Sequence, residues 1–157
     1  MTFKPKKVLW PTDFSDLSLK AGRYAAACQR AFDCELHALH VVAPPLTPDV
    51  SVMLPAEMPL PVASPEILDG ARDALQKIID QHFGGDPSIR TDVFYGNAWN
   101  GICDYAARNA IDLIVVTTHG RTGLQRALIG STAERIVQHA PCPVLTIREG
   151  ARDFLAD

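Results

Sequence analysis

The sequence predicts an α/β fold: an open, doubly wound sheet of five parallel strands with helices on both faces. Three observations lead there. Five short apolar runs alternate with four amphipathic segments in the order β-α-β-α-β-α-β-α-β. No two of the runs are joined by a tandem hairpin, and a parallel connection needs a helical crossover. Two runs, ELHALHVV at 35–42 and IDLIVVTT at 111–118, are apolar on both faces, as in a sheet covered on both sides.

In chain order, KKVLW at 6–10 is a short apolar run stopped by Pro11, and TDFSD at 12–16 offers several oxygens suited to a helix N-cap. The first helix carries Leu17, Ala21, Tyr24, Ala25, Cys28 and Phe32 on one stripe at three- and four-residue spacing. ELHALHVV is the second strand. The stretch from Val42 to Pro65 holds seven of the twelve prolines, so 43–65 is predicted to be a proline-rich loop. Its apolar residues, among them Met53, Leu54 and Leu60, predict that it packs over the site or across a partner subunit. SPEILDGARDALQKIIDQHF at 64–83 opens on a serine cap followed by Pro65, and its stripe is Ile67, Leu68, Ala71, Leu75, Ile78 and Ile79. SIRTDVFY at 88–95 alternates, which suits an edge strand. GNAWNGICDYAARNA at 96–110 gives a helix through Trp99, Ile102, Cys103 and Ala106, and IDLIVVTT is a buried central strand. STAERIVQHA is the fourth helix, with Ser131 as its cap and Glu134 in the capping-box position; CPVLTIR closes with the fifth strand.

Composition narrows the function. A chain of 157 residues, 47% hydrophobic and 21% charged, fits one domain over 1–157 with a core large enough to fold alone. The net charge of −3 supplies no basic face for nucleic acid and no polybasic segment for an anionic membrane. No apolar run approaches the ~20 residues of a membrane span, and MTFKPKK leads into a strand without a signal-peptide apolar region, so the expected location is cytoplasmic. Cys28, Cys34, Cys103 and Cys142 show neither CxxC nor the density of a disulfide framework, as expected of reduced, packed thiols. His37 and His40 stand three apart on a strand, so their side chains point to opposite faces and do not share an ion.

For five strands the common orders are 2-1-3-4-5 and 3-2-1-4-5, and ligands bind beyond the carboxyl ends of the strands where the order reverses. Under 3-2-1-4-5 that crevice lies between the first and fourth strands, with Pro11, Thr12 and Asp13 on one side and Thr117, Thr118, His119 and Gly120 on the other. HGRTGLQRALIGST at 119–132 leaves from it. A glycine there lets backbone approach a ligand, while Gly130, Ser131 and Thr132 offer amides and hydroxyls at a helix start, which suits phosphate. The same residues also read as loop punctuation around an ordinary cap. Neither GxxxxGK[ST] nor GxGxxG occurs.

THGRTGLQRALIGSTAERIVQHAPCPVLTIR, together with VLWPTDFS near the start, resembles the universal stress protein family over nearly the whole chain. The ATP-binding members carry Gly, two residues, Gly, nine residues, Gly, then Ser or Thr, on a 3-2-1-4-5 sheet. Gly120, the nine residues Arg121 to Ile129, Gly130 and Ser131 match that spacing; Thr117 stands where the pattern begins with glycine. The resemblance implies ATP or ADP as ligand, with Asp13 accepting from the ribose, the backbone of Val41 reading the adenine edge, and Pro11 and Thr12 forming a wall. Gly120, Arg121, Gly130, Ser131 and Thr132 would meet the phosphates, with His119 and Thr117 beside them. Mg²⁺ would sit with the nucleotide at Asp13 and Ser131 only if phosphate oxygens completed its shell. The resemblance also implies a homodimer through the fifth strand, an edge that tends to be paired.

Three functions follow from this reading. The first is an ATP-binding regulatory module of the stress response. Its crevice has one acid, no evident lysine and a histidine of unknown orientation, so any hydrolysis or self-phosphorylation is expected to be slow. The second is a dimerising interaction module that does not bind nucleotide because Thr117 closes the phosphate path. The third, a nucleotidyl transferase or phosphate receiver, lacks its signatures: PTDFSD stands where HxGH is needed, and TIREG supplies no lysine.

Overall fold

The computed structural model describes residues 4–44, 63–119 and 129–155. Its elements are β1 (Lys7–Pro11), α1 (Asp16–Phe32), β2 (Glu35–Val42), α2 (Pro65–His82), β3 (Arg90–Tyr95), α3 (Ala98–Arg108), β4 (Leu113–Thr117), α4 (Ser131–His139) and β5 (Val144–Ile147). All strand pairs are parallel and the order is β3-β2-β1-β4-β5, the doubly wound arrangement with β3 and β5 at the edges. Most of the predicted 43–65 loop lies outside the described residues. Among those described, no helix is long and apolar enough to cross a membrane.

The alternation of side chains along each strand divides the core in two. Val8, Trp10, Leu36, Ala38, Val93 and Val115 face α1 and α2, while Leu9, Leu39, Ile114 and Val116 face α3 and α4. Trp10 is fully buried, and its one donor is satisfied because Nε1–H donates to the Ser18 carbonyl at 2.9 Å. Gly22 makes room for that ring: a Cβ on it would stand 2.7 Å from Trp10 and 2.8 Å from Phe83.

Two helix starts differ from expectation. Ser64 holds the N-cap position of α2, yet its side chain makes no cap hydrogen bond, and α4 is capped by Gly130 with Ser131 as its first helical residue. The reason in α4 is tertiary, since Gly130 N–H donates to the Thr118 carbonyl at 2.5 Å and so fixes where the helix begins. In the α2 stripe, Leu75 and Ile79 are buried, but Ile67, in the first turn, is 54% exposed. Tyr105, absent from the predicted α3 stripe, is buried in that helix.

Both edges are visible. On β3, Gly96 N–H bonds to Val42 on β2, so by alternation Val93 N–H points outward; it donates to the Asp92 carboxylate of its own strand at 2.8 Å. Arg90, Thr91 and Asp92 are exposed. On β5, Leu145 and Thr146 are exposed and carry no such guard among the described residues.

Candidate functional site

A crevice opens where β1 and β4 stop pairing. Their ladder ends at Leu9↔Ile114, whereas β1 stays in register with β2 as far as Pro11↔Leu39 and β4 with β5 as far as Thr117↔Ile147. The next residues keep to the outer partners too: Thr12 N–H donates to Leu39 at 2.8 Å and Thr118 N–H to Ile147 at 3.1 Å. The two central strands therefore part before their ends, at the point where strand order reverses.

On the β1 side, Pro11 ends the strand and Thr12 is buried. Thr12 Oγ1 accepts from Phe14 N–H at 3.1 Å and from the Ser18 hydroxyl at 2.8 Å. Asp13 Oδ1 accepts from Ser15 N–H at 3.0 Å and from the Ser15 hydroxyl at 2.6 Å, while Ser15, not Asp13, is the N-cap of α1. The carboxylate thus braces the cap from outside the helix. His40, on β2, places Nδ1 2.8 Å from the Thr12 carbonyl and stacks on Phe14. Val41 lies two residues beyond Leu39, so its N–H and C=O point the way Leu39's do, toward the line of β1 and just past its end.

On the β4 side, the Thr117 hydroxyl donates to the His119 carbonyl at 2.8 Å, so its proton serves the turn leaving the strand. Thr118 is buried and its Oγ1 lies 3.1 Å from His119 Nδ1. Gly130 comes back against this turn, and a Cβ there would stand 3.0 Å from the Thr118 oxygen. Its amide is accordingly held by Thr118, a correction to the expectation that it is presented to a ligand. Ser131 and Thr132 are exposed in the first turn of α4, whose glycine cap has no side chain to cover their amides. Gly120 and Arg121 lie outside the described residues.

Sequence reasoning missed two features that support this region. His40 was weighed only in rejecting a metal ion shared with His37, and Phe14, at φ 67°, was not singled out. His37 and His40 do stand on opposite faces: His37 is fully buried with Nδ1 2.9 Å from the Tyr105 hydroxyl. Burial holds the His37 pKa below its ordinary value, with Glu35 opposing from 3.2 Å. That contact is too poorly aligned to count as a hydrogen bond, and Nε2 has none. Burial likewise pushes all four thiols above their ordinary values. Among the described residues no three His, Cys, Asp or Glu side chains gather as a metal cluster.

Two grooves lie elsewhere. One of about 700 Å³ is at the opposite end of α1 and α2, around Arg30 and Phe83, and one of about 590 Å³ runs between β3 and α3. Neither includes an expected site residue. The crevice is favoured over them because the strand order reverses there.

Comparison with known proteins bears on the family and the fold. A model of the universal stress protein family matches residues 4–148. A universal stress protein of Methanocaldococcus jannaschii, MJ0531, is 37% identical over 150 residues, covering 94% of this chain and 85% of its own. The solved universal stress protein UspA from Lactobacillus plantarum superposes with a TM-score of 0.71 at 30% identity, over 94% of this chain and all (100%) of that one. A universal stress protein from Archaeoglobus fulgidus in complex with dAMP has the same fold, with a TM-score of 0.63 at 18% identity over 94% and 99% of the two chains.

Proposed function

We propose, since this chain belongs to the universal stress protein family, that it binds ATP or ADP in the β1–β4 crevice and acts as a nucleotide-dependent regulatory module in the stress response. The observation that carries the reading is the early end of the β1–β4 ladder, which opens a slot between Thr12 and Asp13 on one side and Thr117 and Thr118 on the other. Asp13 provides acceptors for ribose hydroxyls, the outward backbone of Val41 faces the adenine, and the first-turn amides of α4 at Ser131 and Thr132 suit phosphate. The dAMP held by the Archaeoglobus fulgidus relative supports an adenine nucleotide as the class of ligand. Mg²⁺, if it accompanies the nucleotide, completes its shell with phosphate oxygens. The chain acts as a cytoplasmic homodimer joined at β5, whose exposed Leu145 and Thr146 form an unguarded edge.

A second reading has its own support. Thr117 stands where glycine begins the phosphate pattern, and the Gly130 amide is already held by Thr118. Both favour an interaction module that does not bind nucleotide. The two are separated by purifying the protein without added nucleotide, denaturing it, and identifying the released small molecule by chromatography and mass. Near-stoichiometric ATP or ADP per subunit is the expected result. A protein that is empty and fails to bind ATP in titration with Mg²⁺ overturns the first reading in favour of the second.

A further inference from the structure

Asp13 stands between two residues that a single side chain restrains. Before it, the Thr12 carbonyl lies 2.8 Å from His40 Nδ1. A carbonyl can only accept, so that nitrogen carries the proton. After it, Phe14 adopts φ 67°, a left-handed conformation that costs a bulky residue steric energy and persists only where its surroundings hold it. Its ring stacks on the same imidazole, with centroids 4.0 Å apart and planes 19° from parallel. The Phe14 amide turns back to Thr12 Oγ1 at 3.1 Å, and the Thr12 amide is tied to β2 through Leu39 at 2.8 Å. The loop carrying the crevice's acid is therefore clamped to β2 on both flanks by His40.

Resting on the nucleotide reading above, we infer that His40 is a positioning residue for that site, acting through Thr12 and Phe14 to hold the Asp13 carboxylate where it meets the ribose hydroxyls. Ser15 orients Oδ1 through two hydrogen bonds, and a carboxylate offers about four acceptor positions in all. What the side chain cannot do for itself is fix its own backbone. A misplacement of about 1 Å in such a group is enough to lose most of its interaction.

The test is calorimetric titration of the wild type, His40→Leu and His40→Asn with ATP and with an ATP analogue lacking both ribose hydroxyls. Wild type is expected to prefer ATP by about tenfold or more, as hydrogen bonds to a charged group do. His40→Leu is expected to lose most of that preference while its affinity for the analogue changes by less than about threefold. His40→Asn, whose amide nitrogen stands near the place of Nδ1, is expected to recover the preference to within about threefold of wild type. A leucine variant that weakens both nucleotides equally overturns the inference, for His40 then supports only the fold. A wild type that binds both ligands alike overturns it as well, because Asp13 then has no ribose to meet. A wild type that binds neither is a different failure, that of the nucleotide reading itself. Should the leucine variant not fold, Phe14→Leu tests the other flank through the same ratio: a collapse is expected, and an unchanged ratio overturns the inference.

Discussion

Gly130 has an ordinary φ of −73°, so its lack of a side chain serves space and not backbone freedom. A Cβ at 3.0 Å from the Thr118 oxygen must push the β4 exit and the start of α4 apart. Gly130→Ala is therefore expected to cost about 1–3 kcal/mol of stability, the usual range for overfilling a packed spot, measured by chemical denaturation. The bulkier Gly130→Val costs more, so a loss of nucleotide binding in it must be read against its melting curve. Thr117→Val removes the hydroxyl that holds the His119 carbonyl and is expected to cost about 1 kcal/mol, with Thr117→Ser close to wild type. At this scale the motif spacing found the strand-end and helix-start residues, Thr12, Asp13, Thr117, Gly130 and Ser131, because it reports on local chain geometry. It could not show that the Gly130 amide is taken by Thr118, or that His40 reaches Thr12. Both partnerships join residues that only the folded sheet brings together.

The helices carry a matched pair of glycines with opposite expected signs. Gly70, in α2, has nothing within 4 Å of an added Cβ, so Gly70→Ala gains helix propensity alone and is expected to stabilise by about 0.5–1 kcal/mol. Gly22, in α1, gains the same propensity, but its Cβ would enter the Trp10 ring at 2.7 Å. Overfilling costs typically about 1–3 kcal/mol, so Gly22→Ala is expected to be net destabilising. Thermal melts of the two variants beside wild type check both signs; equal shifts in one direction would contradict the packing. The elements themselves were legible because β-branched runs and three-and-four spacing are local signals. Ile67 was misjudged because periodicity says which residues share a face, while the sheet decides how far along the helix that face is covered. The same limit hid Tyr105, whose hydroxyl lies 2.9 Å from His37 Nδ1 on the strand face that α3 covers.

Across the whole molecule, His37 makes the fold sensitive to acid. Its folded pKa is lowered by burial from the ordinary value near 6.5. Above about pH 6.5 neither the folded nor the unfolded state binds the proton, and below it the unfolded chain binds what the folded one refuses, so stability is lost as pH falls. The urea midpoint is expected to drop between about pH 7.5 and about 5.5 more steeply in wild type than in His37→Phe; parallel curves would show that the histidine is not responsible. The sheet order, in contrast, was legible only through the family resemblance, since propensity admits two orders equally. One consequence concerns numbers of copies. A sheet with two adhesive edges is a divalent unit and grows into chains without limit. Here the Asp92 carboxylate occupies the outward Val93 amide of β3; under the proposed pairing at β5, union would consume the remaining edge and the count would stop at two. Asp92→Ala would restore the second valence, and is expected to shift the protein toward larger species in sedimentation; an unchanged distribution would mean that β3 is closed by other means.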